Sequence, residues 1–229
     1  DHGEANNTGD IIETALILGA HGWREYDQDA ERILRAHLLP SQLIDISFVE
    51  EPDNPRGEDG LRDLAIRHQG SWGFPAPYGH DPVGEGRGNL SFNMDIVGGV
   101  VSSLCEALSA ILAYDDGLHR IRLLMEHETD EMTLGVPYAR EDSADVLSIT
   151  LKRPGEVLVQ LPAWVQADQI RLDPAHTDFT IDSTGLRIGG LAVNQTVGVR
   201  FPLPETQITL THHHDHPIEV LLCGDRVTA

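Results

Sequence analysis

Up to about residue 115 the apolar positions recur with the spacing of helices, and beyond residue 117 they alternate in the manner of strands. In the stretch Ile11 to Ala20, residues Ile11, Ile12, Ala15, Leu16, Ile17 and Leu18 leave hardly any polar face, so the predicted helix packs on both sides. Asp10 stands where an N-cap belongs, Glu13 completes a capping-box pattern, and Gly19 and Gly22 end the helix. A second helix is predicted from about Asp29 to Leu39, capped by Asp27 and stopped by Pro40. Its apolar face is Ala30, Ile33, Leu34, His37 and Leu38, with Glu31, Arg32 and Arg35 outside. The short connection makes the two a helical hairpin. A third helix runs from about Asp95 to Ala113. Gly98, Gly99, Ser102, Ser103, Ala107 and Ala110 narrow one side of it for close helix packing.

Asp115-Asp116-Gly117 reads as a turn, and the grammar changes there. Val146 to Lys152 alternates strictly. Arg153-Pro154-Gly155-Glu156 carries Pro and Gly at the central positions of a type II turn, which predicts Glu156 to Leu161 as the partner strand. A second hairpin is predicted from Phe179-Thr180-Ile181 and Leu186-Arg187-Ile188, with short strands at Val197 to Phe201, Gln207 to Thr211 and Ile218 to Cys223. About nine or ten such strands imply an antiparallel β-sandwich. The expected fold is therefore α+β, with a helical region over 1–115 and a sandwich over 116–229. Between 50 and 91, Pro, Gly and Asp dominate, with one short helical piece near Asp59 to Arg67. The aromatics Trp72, Phe74 and Tyr78 in that connection favour an ordered loop over a pocket rather than a linker.

The formal net charge is −21. It argues against nucleic acid and anionic membrane as partners, since both would be repelled. Lys152 is the only lysine. An acid-rich, lysine-poor surface suits salty surroundings, where counter-ions screen the repulsion; a GC-rich genome favouring Arg is the other explanation. Cys105 and Cys223 lie far apart in apolar runs, which reads as two buried thiols rather than a disulfide or half a metal site. No stretch approaches membrane-spanning length. The chain opens directly on the capping motif, without an initiator Met, as a piece of something longer would.

Gly3-Glu4-Ala5-Asn6-Asn7-Thr8-Gly9-Asp10 sets a carboxylate, two amides and a hydroxyl directly before an apolar helix, as a pocket rim does. Further along, the run His212-His213-His214-Asp215-His216 would put His212, His214 and His216 on one face of an extended chain. Imidazoles so placed suit a divalent metal, adventitious or otherwise. The bland reading is a polar loop between the last two strands.

Several of these segments resemble a known family. Gly3-Glu4-Ala5-Asn6 to Asp10, then Tyr26 to Gln42 with Glu31-Arg32, Arg35, His37-Leu38-Leu39 and Gln42, is similar to the late helices of the six-hairpin α/α-barrel in proteins related to glycoside hydrolase family 127, the β-L-arabinofuranosidases. Phe92-Asn93-Met94-Asp95 with the Gly98-Gly99 helix resembles the next barrel helix. Asp116-Gly117-Leu118, Val157 to Trp164, and Gly224-Asp225-Arg226-Val227 resemble the family's C-terminal sandwich. The resemblance implies a partial α/α-barrel followed by the sandwich. Family enzymes use a Cys nucleophile beside a zinc held by Glu and cysteines, in a Glu-x-Cys pattern and a later Cys-Cys pair. Glu4 keeps the Glu, but Asn6 stands at the Cys position and the later pair falls near Phe92-Asn93. Asn is a poor zinc ligand and no thiolate remains, so the zinc–cysteine mechanism does not carry over. No cofactor is otherwise implied.

Glycoside hydrolysis needs two carboxyl groups across the scissile bond. Glu4, Asp10 and Asp95 are the carboxylates nearest the expected pocket, although Asp10 and Asp95 also suit helix caps. Asn6, Asn7 and Asn93 could bind hydroxyls. Trp72 and Tyr78 could stack on sugar rings or pin the loop, and His80 beside Asp81 and Pro82 is either an acid–base group or a turn. The functional expectation is part of a carbohydrate-active, glycoside hydrolase-like protein acting on or binding a plant or algal type glycan. The alternative is a non-catalytic carbohydrate-binding or structural module. Either way, the apolar sides of the first and third helices predict a homo-oligomer or a complementing N-terminal barrel chain.

Overall fold

The computed structural model of the protein describes residues 5–47, 49, 51–72, 94–136, 147–211 and 217–228. The chain divides into two compact units, Asp1–Ala15 with Arg32–Glu106, and Leu16–Glu31 with Ala107–Ala229. In this division 16–31 groups with the strand-rich part of the chain.

Four α-helices are described: α1 (Ala5–Ala20), α2 (Glu25–Ile33), α3 (Leu64–His68) and α4 (Met94–Ile111). Helix α1 starts well before Ile11, so Asp10 is an interior, exposed residue and not an N-cap; its carbonyl accepts from Thr14 Oγ1 at 2.8 Å. Nor is the helix packed all round. Its buried residues are Ala5, Thr8, Gly9, Ile12, Ala15, Leu16 and Gly19, a stripe at helical spacing that is rich in small residues. Ile11 and Ile17, on the other side, are 57% and 60% exposed. Helix α2 likewise begins earlier than expected, which places Asp27 inside it. It runs on into a π-helical turn, Leu34–Leu38, closed by Leu39 N donating to Leu34 O, and stops at Pro40.

In the first unit, α1 and α4 meet through small residues. A Cβ on Gly9 would overlap Ser103 Oγ, and one on Gly99 would lie 2.9 Å from Asn6 Cβ. The narrow side expected of the third helix therefore holds at Gly99 and Ser103, whereas Gly98 faces open space and Ser102 is exposed. Beyond Pro40, Leu43 N donates to Ser71 O and Gly70 N donates to Leu43 O. The Glu51 carboxylate accepts from Leu64 N and Ala65 N at the start of α3.

The second unit holds thirteen described strands: β1 (Leu112–Asp115), β2 (Leu118–Ile121), β3 (His127–Glu128), β4 (Met132–Gly135), β5 (Leu147–Leu151), β6 (Glu156–Val159), β7 (Arg171–Asp173), β8 (Phe179–Asp182), β9 (Gly185–Ile188), β10 (Thr196–Arg200), β11 (Glu205–Leu210), β12 (Ile218–Cys223) and β13 (Arg226–Val227). They form a sheet ordered β1-β2-β6-β9-β8, a sheet ordered β3-β4-β5-β10-β7, and a three-stranded ribbon β11-β12-β13. Pairing is antiparallel except between β2 and β6. Each five-stranded sheet buries one apolar face. Ile121, Val157, Val159, Leu186 and Ile188 come from the first, and Met132, Leu134, Leu147, Ile149, Leu151, Val197 and Val199 from the second. Asp116 and Gly117 both take positive φ, 45° and 81°, as the two-residue β1–β2 hairpin requires.

The expected β5–β6 hairpin does not form. Both edges of β5 are occupied, by β4 and β10, while β6 pairs with β2 and β9 in the other sheet. Lys152 N and Arg153 N donate to Glu131 O, and Glu156 N donates to Gly117 O, so the Pro-Gly segment carries the chain from one sheet to the other. Gly155 is not in the left-handed region a type II turn demands. It is needed because a Cβ there would overlap Gly117 O. The thiols differ from expectation too: Cys105 is exposed and Cys223 half-buried.

Candidate functional site

At the start of α1, the first unit gathers polar side chains into a packed helix pair. Asn6 Oδ1 is buried and has no hydrogen-bond partner among the described residues. Thr8 Oγ1 lies 3.0 Å from His37 Nδ1, which ties the first turns of α1 to the π-helical turn. Burial lowers the His37 pKa below the ordinary 6.5, so the ring stays neutral at physiological pH. Ser103 Oγ sits 2.7 Å from Glu13 Oε1 and 3.0 Å from Gly99 O, and its one proton serves either acceptor. Buried polar atoms nearly always find a partner, so the bare Asn6 amide oxygen is the exception in an otherwise satisfied cluster.

Of the residues expected to carry chemistry, Asn6 reaches this cluster. Asn7 and Asp10 lie exposed on α1. Asp95 falls in the first turn of α4. Trp72 is buried, and its Nε1 donates to Leu38 O at 2.8 Å, so it pins the chain to the second helical segment and offers no open face for stacking. Glu4, Tyr78, His80, Asn93, His212, His214 and His216 lie outside the described residues. Among the described residues, no group of three or more His, Cys, Asp or Glu side chains could hold a metal ion. With an amide at position 6, the donor set present does not fit a zinc–thiolate centre.

The second unit holds a polar network that the sequence pattern had assigned to a cap and a solvated face. Asp27 and Glu31, one turn apart on α2, are 1% and 3% exposed. Asp27 takes one edge of the Arg122 guanidinium, at 2.5 Å from Nη2 and 3.2 Å from Nε, and the same Nη2 donates to Leu16 O at 2.8 Å. Glu31 Oε2 accepts from Leu124 N at 2.6 Å. Gln28, on the same face, accepts from Ala163 N and donates to Asp225, which also accepts from Trp164 Nε1. Arg24, Asp27, Gln28 and Glu31 follow helical spacing, so a polar stripe was present in the sequence. Nothing local marked it as buried.

Helices shared between the two units, and two five-stranded, largely antiparallel sheets in the second, define a mixed α+β protein. Three solved structures that align with nearly the whole chain are glycoside hydrolases. A β-L-arabinofuranosidase of glycoside hydrolase family 127 from Geobacillus stearothermophilus T6 aligns with 99% of this chain at a TM-score of 0.54 and 15% identity, over 36% of its own length. A second family 127 β-arabinofuranosidase aligns with 99% of the chain at a TM-score of 0.61 and 14% identity, and a further glycoside hydrolase does so at 0.59 and 12%, each over 37% of its own length. The likeness is one of fold, and this chain spans little more than a third of those structures. No family model matches the sequence, and no curated protein matches it.

Proposed function

We propose that this chain is part of a carbohydrate-active, glycoside hydrolase-like protein, that its helical unit belongs to an α/α-barrel, and that the first turns of α1 contact a glycan of plant or algal type. The fold likeness across 99% of the chain supports the class. The observation that carries the site is the buried, unpartnered Asn6 Oδ1, an acceptor poised for a sugar hydroxyl. Glu4, two residues upstream, and Asp95, in the first turn of α4, are the carboxylates this reading would employ, without zinc. Calorimetric titration of the chain with arabinosides, rhamnosides and uronides tests it. Saturable binding that weakens in Asn6→Ala and Glu4→Ala, with the fold retained, supports the reading. Binding unaffected by both substitutions overturns it.

A second reading is a non-catalytic module that packs against another chain. Ile11 on α1 and Val101 on α4 favour it, since both are large apolar residues left exposed. On this reading the chain self-associates or captures a complementing barrel chain. Light scattering that shows a stable monomer in dilute, low-salt solution would remove the homo-oligomer.

A further inference from the structure

A cavity of about 350 Å³ opens beside the buried α2 network and is lined entirely by residues of the second unit. It includes none of the residues expected from the sequence to bind or react. Its volume lies in the range of small-molecule sites, roughly 300–1,000 Å³. Leu161, Pro162, Val165 and Ile181 give the lining apolar surface. Arg122 is also part of the lining; its Nε and Nη2 are held by Asp27 and Leu16 O, and its Nη1 donates to no partner among the described residues. A guanidinium fixed on two sides and free on the third is a preorganised double donor.

The charges at the cavity set the ligand class. Arg24 and Arg122 share the lining with Glu25, Glu31 and Asp182, and the Arg122 charge is already matched by Asp27. The balance is acidic, which disfavours a carboxylate or phosphate ligand. The described residues supply no cluster fit for a metal ion. A neutral ligand that carries both hydroxyls and C–H faces suits a lining that is part polar and part apolar. We infer that this cavity binds a neutral saccharide unit, at a site distinct in its residues from the start of α1.

The test uses the full 229-residue chain with arabinose, xylose, galactose and glucose as probes and glucuronate as the charged control. Ala163→Trp and Ser183→Trp fill the cavity from exposed lining positions. Arg122→Lys keeps a cation opposite Asp27 but removes the Nη1 donors. Ligand-observed NMR should show saturable binding of at least one neutral sugar, weakened about tenfold or more by Ala163→Trp and by Arg122→Lys. Circular dichroism reports whether each variant folds; should Arg122→Lys not fold, the two tryptophan variants decide. The inference is overturned if no neutral sugar binds, if glucuronate binds more tightly than the neutral sugars, or if binding survives both tryptophan variants. Binding that Asn6→Ala abolishes and Ala163→Trp leaves intact would sink this cavity while sustaining the site at α1.

Discussion

Removing one side of the Asp27–Arg122 pair strands a charge away from water. The Asp27 carboxylate is almost fully enclosed and Arg122 is held at three points, so the lost partner cannot be replaced by solvent. Asp27→Ala should cost about 3–5 kcal/mol of folding stability, the range for breaking a buried pair, whereas Asp27→Leu combined with Arg122→Met should recover most of it. Urea unfolding of the single and double variants measures this, and a loss under about 1 kcal/mol would place the pair with surface ion pairs instead. His37 makes a pH prediction. The folded ring has a lowered pKa because it is desolvated, while the unfolded chain takes up the proton near 6.5. Between those two values the unfolded state binds more protons, so stability rises with pH through the window and is lost as pH falls below about 6.5. Thermal melts between neutral and mildly acid pH should show a shallower dependence in His37→Gln than in the parent chain. Equal slopes would exclude His37 as the source. Neither role was legible locally: an Asp ahead of an apolar run reads as a cap, and a His on an apolar face reads as core until its partner, Thr8, is known.

Among the elements, the α1–α4 contact is the place where side-chain size decides packing. Gly9 has room for hydrogen only, because Ser103 Oγ occupies the space a methyl would need. Gly9→Ala should destabilise by about 1–3 kcal/mol despite the better helix propensity of Ala, and Ser103→Ala should relieve much of that in the double variant. A double-mutant cycle with no coupling between the two positions would show that the helices do not meet there. The small-residue side of α4 was readable from its glycines and serines, but its partner was not. The same limit explains the β5–β6 error. Pro154-Gly155 signals a change of direction, and the alternation of Leu147, Ile149 and Leu151 signals a strand with one buried face. Neither says which strand lies alongside, because backbone pairing is chemically alike for every neighbour and is chosen by how two buried faces close over one core. The β8–β9 hairpin was legible because only a tight turn separates its strands, Phe179–Asp182 and Gly185–Ile188.

For the whole molecule, the dominant number is the charge: 16 Lys and Arg against 37 Asp and Glu. Self-repulsion of that size weakens the compact state, and salt screens it over a Debye length of about 10 Å at about 0.1 M and about 3 Å at about 1 M. The melting temperature should therefore climb as sodium chloride is raised across that range. Scanning calorimetry that finds it flat or falling would rule out repulsion as a limit on stability. Composition and periodicity alone determined the α+β class, the order of helices before strands, most strand positions and the acidic character, because these depend on side-chain chemistry and spacing along one segment. The tertiary structure alone decided that α1 buries a narrow stripe and exposes Ile11 and Ile17, that Asp27 and Glu31 are enclosed, and that β5 and β6 belong to different sheets. It also left Asn6 Oδ1 without a partner among the described residues. Each of these depends on what a distant segment brings to the same place, and burial, unlike periodicity, is a property of the neighbours and not of the residue.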